Sequence, residues 1–331
     1  MNDRELLERV IGGKPVDRVP VGFWFHFLPD EETGSGIFDP TVLERNIEGH
    51  RQYIEGFKPD LVKIMSDGYF THPLAGGARE IKDIGDLNLI EAIGPEHPWV
   101  RDQVKLVKAV TRMKPDTFYF YNVFSATTTL RFMVGRERLV EWLGRDEAAT
   151  LAAIDRINAG LKALSIAVIG EGGADGVYFS VQNPDIKSVS DWYYQARVSP
   201  GERDILAAAQ RIGGRNILHI CGYEGIKNNF FIYQTYEAAI YSWAANVEGL
   251  PLGQGREFFG QATVLGGFPN TKGSILETGD RQEIEEFTEA ILAESGRLGV
   301  IVGADCTIPK GIPYERLAWV REAARRAAVA K

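Results

Sequence analysis

The sequence of 331 residues predicts an α/β fold, a single (β/α)8 TIM barrel with an N-terminal extension, on two observations. Eight short runs rich in β-branched and aromatic residues alternate with longer segments whose apolar residues have helical spacing. Several of the short runs are apolar throughout, which is typical of parallel strands covered on both faces. An alternation of this length favours a closed barrel, and an open doubly wound sheet is the structural alternative.

The eight predicted strands lie at residues 19–26, 61–67, 118–125, 176–182, 216–222, 239–246, 262–269 and 299–306. Helical patterns lie between them, at residues 41–57, 104–114, 146–170, 202–212, 280–298 and 313–329. The last helix places Leu317, Val320 and Ala324 on one apolar stripe. Asp280 lies three residues before Glu283, which predicts a capping box at the start of the helical pattern at residues 280–298.

Residues 1–18 precede the first predicted strand and are expected to form a helical extension of the barrel. No Pro/Ser-rich linker, low-complexity tract or block of like charges interrupts the chain. Residues 1–331 are therefore predicted to form one domain.

Composition excludes several functional classes. The net charge of −8 is unsuited to non-specific nucleic-acid binding, which needs positive charge against phosphates. Two cysteines are too few for a disulfide framework, and the charged N-terminus does not look like a secretory signal. No apolar run approaches the ~20 residues that cross a bilayer. A cytoplasmic protein without membrane or nucleic-acid partners is expected.

Active sites of (β/α)8 barrels lie where the strands end at their carboxyl face. Polar candidates at the predicted strand ends are His26, Asp67, Ser125, Gln182, His219, Cys221, Asn246 and Cys306. Both cysteines of the chain are in this set.

His219, Cys221 and Cys306 predict a metal site. Residues two apart in a strand point to the same face, so His219 and Cys221 can converge, and Cys306 reaches the same cavity from another strand end. One imidazole and two thiolates with an open fourth position suit catalytic Zn2+, which would activate a substrate thiol there as a nucleophile. The alternative is that the cysteines are small buried apolar residues and His219 is a core histidine.

Several motifs resemble the uroporphyrinogen decarboxylase superfamily, whose fold is a (β/α)8 barrel. They are Gly13-Lys-Pro-Val-Asp-Arg-Val-Pro20, Gly56-Phe-Lys-Pro-Asp60, Met65-Ser-Asp67-Gly68, Gly172-Gly-Ala-Asp-Gly176, Ser242-Trp243, Val264-Leu-Gly-Gly-Phe268 and Cys306-Thr-Ile-Pro309. The resemblance covers nearly the whole chain.

The His-x-Cys motif with a distant Cys resembles the corrinoid-dependent methyltransferase branch of that superfamily. Such enzymes use zinc to activate a thiol, for example coenzyme M, that takes a methyl group from a methylated corrinoid protein. The resemblance implies that His219, Cys221 and Cys306 are zinc ligands, and it leaves the small-molecule thiol or other acceptor unspecified. The Asp-x-His-x-x-Gly motif of base-off cobalamin binders is missing, so the methylcorrinoid is expected on a partner protein.

Asp67, His26 and Gln182 are the candidate catalytic residues. Asp67 matches the central aspartate of the decarboxylases, and it either orients a substrate or accepts backbone N–H groups at a turn. His26 lines the pocket mouth or is bonded within an aromatic wall. Gln182 is expected to contact the substrate or to serve as an extra metal contact.

Two other functions remain open. One is a metal-free decarboxylase that uses Asp67. The family's arginine-rich stretch is replaced here by residues 23–29, which hold no arginine, and this disfavours a porphyrinogen with many carboxylates. The other is a non-catalytic barrel that binds a corrinoid protein.

Overall fold

A computed structural model describes residues 1–183 and 190–329 and contains a parallel sheet of seven strands, each paired with the next along the chain. The strands are β1 (Leu61–Ile64), β2 (Phe118–Phe124), β3 (Gly176–Val181), β4 (Ile217–Ile220), β5 (Ile240–Trp243), β6 (Thr263–Phe268) and β7 (Val300–Ala304). This order is that of a TIM-type barrel. Among the described residues, no helix is both long and apolar enough to cross a membrane.

Helices precede, connect and follow the strands. They are α1 (Asp3–Ile11), α2 (Thr41–Phe57), α3 (Pro98–Thr111), α4 (Ala126–Val134), α5 (Arg136–Arg145), α6 (Glu147–Gly170), α7 (Asp191–Tyr193), α8 (Ser199–Arg211), α9 (Ala245–Glu248), α10 (Leu252–Phe258), α11 (Ile275–Thr278), α12 (Arg281–Ser295) and α13 (Tyr314–Val329). The predicted capping box of Asp280 and Glu283 is present at the start of α12.

The first predicted strand, residues 19–26, is not a strand in the structure. It forms one isolated parallel bridge, between Val21 and Val302 of β7, and Val21 also accepts a hydrogen bond from the backbone N–H of Asp60. Beyond that point other groups bind its carbonyls: the Tyr53 hydroxyl donates to Phe23, and the Ile308 backbone donates to Trp24. These tertiary contacts replace strand pairing, so the prediction of eight strands is wrong at its first strand.

The inward face of the sheet changes character along the strands. At their amino ends it is apolar and packs against Leu6, Leu7 and Val10 of α1, which cover that end of the sheet. Two residues further along, the inward positions are polar and buried; they are Lys63, Asn122, Ser180, His219 and Ser242. The sheet therefore has a sealed apolar end and a polar end at the carboxyl termini of its strands.

Candidate functional site

A cavity of about 860 Å3 opens at the carboxyl ends of the strands. All six residues predicted as metal ligands or catalytic residues line it, namely His26, Asp67, Gln182, His219, Cys221 and Cys306. The structure therefore brings together side chains that lie as much as 280 residues apart in sequence, from His26 to Cys306 (306 − 26). A neighbouring cavity of about 740 Å3 shares His26, Leu28, Pro29 and Lys310 with it but is lined by no cysteine.

The two remaining strand-end candidates have structural roles instead. Ser125 caps α4, because its hydroxyl accepts a hydrogen bond from the backbone N–H of Thr128 at 3.4 Å. The backbone and side-chain nitrogens of Asn246 donate to the carboxylate of Asp305 at 2.8 and 3.1 Å. Neither Ser125 nor Asn246 lines the large cavity.

His219, Cys221 and Cys306 form a compact donor set. One donor atom from each lies within 4.8 Å of the other two, and the two sulfurs are 4.0 Å apart. Tetrahedral zinc with Zn–S bonds of about 2.3 Å separates its two sulfurs by about 3.8 Å. The observed sulfur separation therefore fits two ligands of one zinc ion.

The imidazole of His219 offers one nitrogen to a ligand. Its Nδ1 contacts the Ser242 hydroxyl at 3.1 Å, across the β4–β5 pairing that sets these two residues side by side. Its Nε2 is buried and has no hydrogen-bond partner among the described residues. With the proton assigned to Nδ1 by the serine contact, the Nε2 lone pair is available, as in histidines that bind metals.

The paired thiols differ in acidity. The hydrogen bond between the two sulfurs holds the pKa of Cys306 well below its ordinary value. The same hydrogen bond and burial raise the pKa of Cys221. One thiol of the pair therefore ionises readily, and the second needs a nearby positive charge to lose its proton.

Asp67, which follows β1, and His26 form a hydrogen-bonded pair. Asp67 Oδ1 lies 2.8 Å from His26 Nδ1, and Oδ2 accepts from the backbone N–H groups of Phe27 and Leu28 at 2.5 and 3.3 Å. Burial acts to raise the pKa of Asp67, but His26 and these N–H donors outweigh it and lower the pKa overall. Asp67 therefore both orients the His26 imidazole and fixes the backbone at Phe27 and Leu28.

Lys63 is a site residue that sequence reasoning missed. Its ammonium is buried on β1, lines the cavity, and lies 4.0 Å from the centroid of the Tyr178 ring and 5.3 Å from that of Trp24. It makes no hydrogen bond or ion pair with any residue that the structure describes. Burial lowers the pKa of Lys63 to about 8, while the two thiols and Asp67 act in the opposite direction. The available signal was a lysine inside an otherwise apolar strand.

The sequence analysis also did not predict the aromatic residues on one side of the cavity or the cationic residues of its lining other than Lys63. Phe70, Phe124 and Phe132 line that side, and Arg131 and Lys310 bring positive charge to the lining. Arg131 comes from α4 and not from residues 23–29, which hold no arginine. Gln182 lies buried in the lining just after β3, at the position predicted for it.

Comparison with solved structures finds the same fold in several proteins. A methyltransferase from Methanosarcina mazei superimposes with a TM-score of 0.74 at 16% identity over 98% of each chain. A B12-independent methionine synthase from Shewanella sp. W3-18-1, in complex with selenomethionine, gives 0.55 at 15% identity over 94% of this chain and 96% of that one. A β-mannanase from the blue mussel Mytilus edulis gives 0.54 at 10% identity over 92% of each. At these identities the likeness is one of fold.

Comparison with curated proteins gives no match. Family comparison is decisive, since residues 58–327 match uroporphyrinogen decarboxylase (URO-D). This match covers most of the chain, and it includes the strands that carry the metal-ligand candidates. The protein therefore belongs to the uroporphyrinogen decarboxylase family.

Proposed function

We propose that the protein is a zinc-dependent methyltransferase that moves a methyl group from a protein-bound methylated corrinoid to a thiol or similar acceptor. The observation that carries the proposal is the cluster of His219, Cys221 and Cys306, whose donor atoms lie within 4.8 Å of one another in the cavity lining. The fold shared with a methyltransferase and a methionine synthase supports it.

The donor set fits zinc in type, spacing and charge. Two thiolates and a neutral imidazole are ligands that zinc prefers, and the sulfur separation of 4.0 Å suits one shared ion. The buried Nε2 of His219 lacks any other partner among the described residues. Zinc held there would supply an open coordination position that turns a thiol into a thiolate nucleophile at neutral pH.

His26 and Asp67 handle the proton in this proposal. The Asp67 carboxylate holds the Nδ1 proton of His26, at an Nδ1–Oδ1 distance of 2.8 Å. His26 Nε2 is then the basic nitrogen, and it accepts the proton that the thiol releases. Gln182 offers amide donors and an acceptor from the same lining and orients the acceptor molecule.

Lys63 supplies charge balance. A substrate thiolate bound beside Cys221 and Cys306 would bring three negative charges to a zinc dication, and the buried ammonium of Lys63 would offset the excess. Because Lys63 lies in a low-dielectric interior and has no ion pair with any described residue, its charge acts strongly on the cavity. Lys63 therefore favours an anionic ligand over a neutral one.

A metal-free decarboxylase remains the second candidate, because the chain belongs to the decarboxylase family and Asp67 lines the cavity. A chelator separates the two functions. Decarboxylation of uroporphyrinogen by Asp67 would survive removal of metal, whereas methyl transfer to a thiol would stop. A barrel that only binds a corrinoid protein would show neither reaction.

Metal content is the first test. Protein purified without chelator should contain about one zinc per chain, and Cys306→Ala and Cys221→Ala should each lose it. Phe124→Leu changes the same cavity without removing a donor and should keep the zinc. Elemental analysis of folded protein, verified by circular dichroism, measures this. Zinc-free wild type, or equal zinc loss in Phe124→Leu, would contradict the assignment.

Asp67→Asn tests the positioning of His26. We expect kcat for methylation of a thiol by methylcobalamin to fall by about 100-fold or more, because His26 loses the carboxylate that orients it. Zinc content and the KM for the thiol should stay within about twofold, since the loss falls on the chemical step. Asp204→Asn on α8, with a side chain 51% exposed, is the matched control and should be unchanged. A parallel loss of zinc would instead mark Asp67 as structural.

Lys63→Met tests charge balance with cobalt(II) in place of zinc, so that ligand binding is read from the absorption spectrum. The affinity for 2-mercaptoethanol should fall by about tenfold or more, while the affinity for neutral imidazole stays the same. Lys63→Arg keeps the charge and should restore part of the loss. Equal changes for both ligands, or no change for either, would remove this role from Lys63.

A further inference from the structure

The cavity has an aromatic side that the chemistry above does not use. Phe70, Phe124 and Phe132 line it together, with ring centroids 4.9 Å apart for Phe70–Phe124, 5.6 Å for Phe70–Phe132 and 5.1 Å for Phe124–Phe132. We call these three residues the aromatic wall. The Phe70 ring also meets the His26 imidazole at 5.8 Å, so the wall adjoins the His26–Asp67 pair.

The wall and the metal donors come from different strand ends. Phe70 follows β1, Phe124 ends β2 and Phe132 lies in α4, whereas the sulfur donors follow β4 and β7. Both sets nevertheless face one cavity of about 860 Å3, a volume in the range of sites for drug-sized ligands. A two-carbon thiol at the metal donors would leave most of this space and the wall uncovered.

The rings of the wall do not serve the core. All three are only half-buried, and none belongs to either of the two hydrophobic clusters that hold the sheet and helices together. Arg131 closes the wall on one side, where its guanidinium lies 4.7 Å from the Phe132 ring centroid and 4.8 Å from that of Tyr223. The wall is thus a bounded apolar surface presented to the cavity.

Phenylalanine rings offer no conventional hydrogen-bond donor, so the aromatic wall cannot select a ligand through polar groups. They do favour a second aromatic ring in an offset or edge-on arrangement, which adds to the burial of apolar area. Edge-on contacts already dominate within the wall, with interplanar angles of 78° for Phe70–Phe124 and for Phe124–Phe132. A flat aromatic group is the ligand that this surface fits best.

We propose that the small-molecule ligand of this cavity carries an aromatic ring that packs against Phe70, Phe124 and Phe132 while its reacting atom lies at His219, Cys221 and Cys306. The placement of the reacting atom rests on the proposed function. The placement of the ring rests on the wall alone.

The test compares benzyl mercaptan with 2-mercaptoethanol on the cobalt(II)-substituted protein. Wild type should bind benzyl mercaptan about tenfold or more tightly than 2-mercaptoethanol. Phe132→Ala should remove most of that preference and leave the affinity for 2-mercaptoethanol unchanged. Phe124→Leu, which keeps an apolar side chain but removes a ring, should also lower the preference for benzyl mercaptan over 2-mercaptoethanol. Phe38→Ala, an exposed phenylalanine outside the cavity lining, is the matched control and should behave as wild type.

A second measurement separates failure of the wall from failure of the metal chemistry. Calorimetry with benzyl alcohol on metal-free protein reports ring binding without any thiol. If neither thiol changes the cobalt spectrum but benzyl alcohol binds to wild type and more weakly to Phe132→Ala, the metal proposal fails and the wall stands. Equal benzyl mercaptan affinity in wild type and Phe132→Ala, or no binding of benzyl alcohol when thiols also fail to bind, would overturn the aromatic ligand.

Discussion

The two-residue alternation of β4 is the constraint on which the candidate site depends. Because of it, the Ile217 side chain points into the apolar interior, and the His219 side chain, two residues later, points into the polar end of the sheet. Pairing with β3 and β5 sets Ser180 and Ser242 on either side of His219. Continuing the alternation brings Cys221 to the cavity. A shift of β4 by one residue would turn both donors away from it.

Some charged and polar side chains at the polar end of the sheet have partners in the described part of the chain and others do not, and this difference supports the proposed function. Asp67 is fully engaged, because His26 and two backbone N–H groups take both of its oxygens. His219 Nε2 is buried and has no hydrogen-bond partner among the described residues. The contacts of the buried Lys63 ammonium are with the Tyr178 and Trp24 rings, which carry no opposite charge. Buried groups of this kind are expensive to leave unpaired, so they point to a ligand with opposite or complementary character.

Local patterns predicted most of the architecture and the convergence of His219, Cys221 and Cys306, because strand periodicity and the His-x-Cys spacing are short-range signals. The ends of α2 at Thr41 and Phe57 were predicted to the residue. The predicted strand at residues 19–26 does not form, because the Tyr53 hydroxyl and other groups distant in sequence bind its backbone carbonyls. No local sequence pattern reveals such contacts. The aromatic wall was missed since its three rings come from separate segments, and only the fold assembles them. Lys63 carried a readable signal in its apolar strand.

The most direct test of the account is zinc K-edge X-ray absorption on protein purified without chelator. Coordination by His219, Cys221 and Cys306 predicts about two sulfur atoms at ~2.3 Å and a nitrogen atom at ~2.0 Å, with a lighter ligand completing the shell. Addition of a thiol should raise the sulfur count by about one. A metal bound without sulfur, or a shell that a thiol does not alter, would contradict the claim that these three residues form an open, thiol-activating zinc site.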